Sequence, residues 1–178
     1  MASLLLGKGI ADCVHIMPCY QSPHKLGKVY TEASHRLEMV RRALRDAKLG
    51  AGVEVDDYEV RGGEVSFTYK TLAYLKEKYA DDVILVIGAD QWVNFDRWVK
   101  YDEILKNHQL VVFKRGDDVV EETEGVCVVE YENLASSTAI RAGHNWDEML
   151  TASVIEYIKE FELYSSTKGL NFVVKFII

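Results

Sequence analysis

Five consecutive aliphatic residues, Val83-Ile84-Leu85-Val86-Ile87, followed at once by Gly88-Ala89-Asp90, constrain this chain more than any other feature. A strand with one wet face alternates apolar and polar side chains. A continuous apolar run must be covered on both faces, which is the habit of parallel sheets flanked by helices. Residues 110–113 repeat the pattern. Further strands are expected at 13–17, ending at Pro18, and at 53–60, 126–130 and 172–178. Helices are expected at 1–8, closed by Gly7 or Gly9, and at 32–47, with Leu37, Val40, Leu44 and Ala47 on one face. Others fall at 67–79, with Leu72, Leu75 and Tyr79 inward, and at 101–106, 136–142 and 151–161. Strands and helices alternate, so the fold class is α/β, a Rossmann-like doubly wound parallel sheet. Ligands of such sheets bind at the carboxyl ends of strands, where His24, Asp90 and Arg115 fall.

A chain of 178 residues fits one domain and needs no disulfide or metal staple. The formal net charge of -7 argues against a nucleic-acid polymer as main partner, because counterion release needs a basic face. It leaves room for a small phosphorylated ligand. Lys25, Lys28, Arg36, Arg41, Arg42 and Arg45 cluster in sequence, either as a local phosphate site or, for most of them, as a solvated helix face. Cys13, Cys19 and Cys127 are odd in number and form no CxxC pair, which points to reduced thiols and a cytoplasmic protein. Cys13 and Cys127 sit in apolar runs and are expected in the core. No apolar stretch is long enough to span a bilayer, and no signal peptide is read.

Four constellations could carry chemistry. Gly88 and Asp90 after the buried run, with Asn94-Phe95 and Trp98, suit close backbone approach, a ribose contact and ring stacking; a loop cap with a half-buried tryptophan is the plain alternative. Ser136-Ser137-Thr138-Ala139-Ile140-Arg141 is either a helix cap or a phosphate grip made of backbone N–H groups, hydroxyls and a guanidinium. Pro23-His24-Lys25 lies on a loop at the sheet's carboxyl edge. Ser66-Phe67-Thr68 opens a helix whose N–H groups could receive a carboxylate.

Taken in order and spacing, PHK, the arginine-rich helix at Arg36, Arg61 and Gly63 before Ser66-Phe67-Thr68, IGAD with NF and Trp98, KYDEIL, LVVFKRG and SSTAIR resemble bacterial nicotinate-nucleotide adenylyltransferase, a nucleotidyltransferase family. The resemblance runs over residues 1–164, closing on the helix VIEYIKEFELY. It implies adenylyl transfer from ATP to nicotinate mononucleotide, giving nicotinate adenine dinucleotide and pyrophosphate, a late step of NAD biosynthesis, with Mg²⁺ accompanying ATP and no resident metal. Carried over by motif, Phe67 and Thr68 would hold the nicotinate carboxylate, Trp98 would stack on the pyridine ring, and Lys25 would touch phosphate. Gly88 and Asp90 would contact adenosine, Arg115 the adenine edge, and Ser136, Ser137, Thr138 and Arg141 the ATP phosphates.

Three departures accompany the resemblance. The segment before Ser66 is one residue longer than usual, and Phe67 stands where tyrosine is common. The family opens with a strand and a loop ending in GxFDPxHxGH; here residues 1–6 read as the helix after that motif, HxGH occurs nowhere, and the catalytic residues stay unassigned. Residues 165–178 read as an extension. Its strand at 172–178 either fills the first strand's central slot, as in a circular permutation, or is an unrelated tail. The alternatives are a noncatalytic or truncated nucleotide-binding domain and an adenylyltransferase for nicotinamide mononucleotide. A homo-oligomer is compatible with the sequence, which marks no interface.

Overall fold

The alternation expected of doubly covered strands is visible residue by residue. In a computed structural model describing residues 1–27, 31–49, 51–80, 82–116, 118–121, 123–132, 140, 142, 145–164 and 174–177, six strands form one sheet: β1 Val14–Pro18, β2 Val53–Val55, β3 Leu85–Gly88, β4 Leu110–Lys114, β5 Val126–Glu130 and β6 Val174–Ile177. The helices are α1 Ala2–Gly7, α2 Ala33–Ala47, α3 Tyr58–Gly62, α4 Thr68–Tyr79, α5 Ala89–Trp92, α6 Tyr101–Asn107, α7 Trp146–Met149 and α8 Ala152–Glu160. Leu85, Ile87, Leu110 and Val112 pack with Leu72 and Leu75 of α4 and Ile104 of α6. Their neighbours Val86, Val111 and Phe113 face the other way, with Leu5 of α1, Val40 of α2 and Val14 and Ile16 of β1. A period of two thus builds two cores from continuous apolar runs. Full burial of each such side chain contributes about 1.5–3 kcal/mol.

The strand order is β2-β1-β6-β3-β4-β5. β1 pairs parallel with β2, and β3, β4 and β5 run parallel to one another. β6 lies between the two groups, where the order of the sheet reverses, so the terminal strand does occupy a central slot. Its direction corrects the expectation of a wholly parallel sheet. β6 is antiparallel to β1, with His15 opposite Ile177 and Pro18 opposite Val174, and antiparallel to β3. A circular permutation would keep the direction of the strand it moved. Unpaired backbone groups on two facing edges demand a partner strand but accept either direction, since both ladders satisfy N–H and C=O groups.

Two further expectations are corrected. The strand expected over 53–60 ends at Val55, because the Asp56 carboxylate accepts the Tyr58 N–H at 2.9 Å and turns the chain into α3. Asp56 also accepts from Lys78 Nζ at 2.9 Å and Tyr74 Oη at 3.2 Å, fastening β2 to α4. Cys127 is exposed on β5 and Cys13 half-buried, whereas Cys19 is buried; β5 is an edge strand, so an apolar run there keeps one side wet. Of the basic cluster, Arg41, Arg42 and Arg45 form ion pairs with Asp57 or Glu38, as a solvated face would. Arg36 is the exception, at 4% exposure. No helix among the described residues is long and apolar enough to cross a membrane.

Candidate functional site

A cleft of about 450 Å³ opens at the carboxyl ends of β1 and β3, on either side of the reversal in strand order. Its walls come from three segments: Ser22, Pro23 and His24 after β1, Ser66, Phe67 and Thr68 at the start of α4, and Asp90, Gln91, Asn94, Arg97, Trp98 and Val99 after β3.

The first segment is held from below by Arg36. Its guanidinium donates to the Thr31 carbonyl at 3.1 Å, to the Tyr20 carbonyl at 2.7 Å and to the Cys19 carbonyl. A buried guanidinium is costly unless its N–H groups find acceptors. Here the chain leaving β1 supplies them, and the curve of that chain is set in return. Ser66 ties the first segment to the second: its N–H donates to the Gln21 carbonyl at 2.8 Å, and its Oγ accepts the Tyr20 N–H at 3.0 Å. The short turn Pro23–Lys25 then places His24 on the rim.

α4 begins at Thr68 with Phe67 as its N-cap and no side-chain cap hydrogen bond. The amino end of a helix carries partial positive charge, and this one ends in the cleft, where it favours an anion. Deeper in, the Thr71 hydroxyl donates to the buried Glu59 carboxylate, which locks α4 against α3.

The third segment turns sharply. Gly88 is the N-cap of α5, and a Cβ there would stand 2.6 Å from Asp90 Oδ1. The missing side chain is therefore what lets the Asp90 carboxylate fold back over the end of β3. The turn Phe95–Arg97 follows, with Phe95 buried and its ring 5.1 Å from that of Trp98. Trp98 is thereby presented half-buried to the cleft, with the His24 ring 6.3 Å away across it at a tilt of 40°. A flat aromatic wall, a helix amino end, one carboxylate and two basic side chains, His24 and Arg97, make a site for a flat ring carrying anionic groups.

The sequence-predicted residues divide accordingly. Phe67, Thr68, Asp90 and Trp98 line one cleft, with Gly88 shaping it. The backbone of Lys25 lies in the adjoining turn, and its side chain lies outside the described parts. Arg115 does not join the lining; it is exposed after β4, where its N–H donates to Asp118 Oδ2 at 3.0 Å. Ser136, Ser137, Thr138 and Arg141 lie outside the described residues. Ser22, Gln91 and Arg97 went unread in the sequence. Arg97 carried one available signal, its place next to Trp98.

Residues 3–143 match the profile of the cytidylyltransferase-like family. A Clostridium botulinum protein described as a "probable nicotinate-nucleotide adenylyltransferase" is 32% identical over 170 residues, covering 86% of this chain and 83% of the relative. A Rhodopirellula baltica protein of the same description is 41% identical over 119 residues, covering 66% of this chain; the chain spans about half, 54%, of that relative's length. Among solved structures, the Plasmodium falciparum nicotinic acid mononucleotide adenylyltransferase complexed with NaAD superposes with a TM-score of 0.78 at 16% identity, over 94% of this chain and 90% of the other. At that identity the likeness is one of fold.

Proposed function

The chain belongs to the cytidylyltransferase-like family, in its nicotinate-nucleotide adenylyltransferase branch, and from that membership we propose that it transfers the adenylyl group of ATP to nicotinate mononucleotide, releasing pyrophosphate and forming nicotinate adenine dinucleotide. The observation that carries the reading is the pairing of Trp98 with the amino end of α4 across one cleft. A pyridine ring against Trp98 directs its carboxylate to Phe67 and Thr68, which a helix amino end favours for an anion.

The rest of the chemistry is positioning and charge. The phosphate of nicotinate mononucleotide attacks the α-phosphorus of ATP in line; one P–O bond forms, the bond to the β-phosphate bridging oxygen breaks, and pyrophosphate leaves. Asp90, freed by Gly88 to sit over β3, accepts hydrogen bonds from the ATP ribose. His24, Arg97 and Lys25 donate to phosphate oxygens and offset charge that grows in the transition state. Arg115 serves the adenine edge, and Ser136, Ser137, Thr138 and Arg141 the ATP phosphates, as the family pattern implies. Mg²⁺ enters with ATP, bound to its phosphates as part of the substrate. Residues 1–164 carry the nucleotidyltransferase motifs and 165–178 extend beyond them, with β6 completing the same sheet, in a cytoplasmic protein.

Pyrophosphate release from Mg·ATP and nicotinate mononucleotide, with nicotinamide mononucleotide in parallel, is the test. Turnover preferring the nicotinate form is expected. Binding of the dinucleotide without pyrophosphate release would replace the enzyme by a nucleotide-binding domain.

A further inference from the structure

At the opposite, amino edge of the sheet, three donors of different chemistry meet. Cys13 precedes β1 and His15 lies within it, two residues apart and so on one face. Glu54 of β2 is the register partner of His15 and projects on that face beside it. One sulfur, one imidazole nitrogen and one carboxylate oxygen lie within 4.8 Å of one another. Among the described residues no other group of three such side chains comes so close.

The details suit a metal ion better than a set of hydrogen bonds. Cys13 Sγ is 3.6 Å from His15 Nε2. Ligands at about 2.3 Å for sulfur and 2.0–2.1 Å for nitrogen around a tetrahedral zinc ion stand about 3.6 Å apart. His15 is 7% exposed, and its Nδ1 has no hydrogen-bond partner, the nearest carboxylate oxygen, Glu54 Oε2, being 3.8 Å away. An ion seated beside Cys13 Sγ takes Nε2 as its nitrogen ligand, and the ring is held in that orientation by stacking on Tyr79 of α4, with centroids 4.6 Å apart. The Glu54 side chain is 64% exposed, free to swing inward and to admit an ion from solvent.

We propose that Cys13, His15 and Glu54 bind one transition-metal ion of the zinc class at the amino edge of the sheet, with water as fourth ligand. A thiolate, an imidazole and a single carboxylate select Zn²⁺ or Co²⁺ over Mg²⁺ or Ca²⁺, which take oxygen. The ion clamps the segment before β1 to β2, remote from the cleft, so the proposal stands whether or not the chain turns over nucleotide.

Cobalt titration followed by absorbance tests it, in excess Mg²⁺, on the full chain and on Cys13→Ser, Cys127→Ser and Glu54→Gln variants. One equivalent of Co²⁺ is expected to give a thiolate-to-cobalt charge-transfer band and to raise Tm. The band should persist in Cys127→Ser, vanish in Cys13→Ser, and need about tenfold or more Co²⁺ in Glu54→Gln, since even outer-shell partners of metal ligands are worth 10–100-fold. Cys13 is half-buried and Glu54 exposed, and the apo variants should match the Tm of the apo parent chain within a few degrees. A parent chain without the band, a band that survives Cys13→Ser, or displacement by Mg²⁺ would each overturn the site.

Discussion

Trp98 and Gly88 show at the level of single residues what the cleft asks of its parts. On the proposed reading, Trp98→Ala removes the flat face that the cleft offers to a pyridine ring. Ring stacking of this kind is worth about 1–3 kcal/mol, so KM for nicotinate mononucleotide should rise about tenfold or more, with KM for ATP little changed. Gly88→Ala acts differently. The new methyl group meets the end of a side chain, Asp90 Oδ1 at 2.6 Å, rather than backbone. Tm should therefore stay within a few degrees while KM for ATP rises as the carboxylate is pushed aside; steady-state kinetics beside a melting curve separates the two effects. Both residues were legible in the sequence, because a glycine after a buried strand and an aromatic just beyond it are chemistry written locally. Arg97 was not, since a lone arginine in a turn is indistinguishable from a solvated one until the cleft is closed around it. Arg36 was hidden for the same reason. Its burial depends on three carbonyls, those of Cys19 and Tyr20 after β1 and that of Thr31, two residues before α2. Arg36→Met should leave them without a buried donor and cost about 2–3 kcal/mol in denaturant unfolding.

Helix α8 is fixed to α2 by polar contacts as much as by the small apolar cluster of Met39, Val154, Tyr157 and Ile158. The guanidinium of Arg42 lies 4.5 Å from the Tyr157 ring centroid, and His35 Nδ1 is 2.9 Å from the Tyr157 hydroxyl. Asp46 accepts from the Ser153 hydroxyl at 2.7 Å and the Ser153 N–H at 3.1 Å, at the amino end of α8. These bonds, the Ser153 hydroxyl foremost, hold the Asp46 carboxyl below its usual range. A depressed folded-state value means that the contribution is complete above the ordinary aspartate pKa of about 3.9 and is lost as pH falls through the folded value. Asp46→Asn should thus lower Tm near neutral pH and converge with the parent chain in strong acid, as melting curves from pH 7 to pH 2 would record. The longer helices α2, α4 and α8 were readable from their 3.6-residue period, whereas the one-turn helices α3, α5 and α7 are too short to show one. Their ends, and the strand that stops at Val55, were decided by side chains such as Asp56 that bond to nearby backbone, a signal weaker than apolar periodicity.

The whole sheet depends on its third strand. β6 joins β2-β1 to β3-β4-β5, and without it two strand edges face each other unpaired. A chain ending at Tyr164 should lose its cooperative thermal transition and aggregate, which circular dichroism and light scattering would detect. That residues 172–178 hold a strand was legible from their apolar run, while its place in the central slot was one of two open readings, suggested by the resemblance and met by the observed strand order. Its antiparallel direction was not legible, because apolar alternation looks the same read either way along a strand.

Synthesis follows the order of the sequence, and the strand at the centre of the sheet is the last of the six to leave the ribosome. β1 and β3 are made early yet wait for β6 before they share a neighbour, His15 and Leu85 both pairing with Ile177. Two half-sheets with open edges therefore coexist on the nascent chain until β6 has emerged. Contacts of such long sequence separation form slowly and leave intermediates exposed. Holdase chaperones or a lowered growth temperature should raise the yield of native protein more than any change at the cleft.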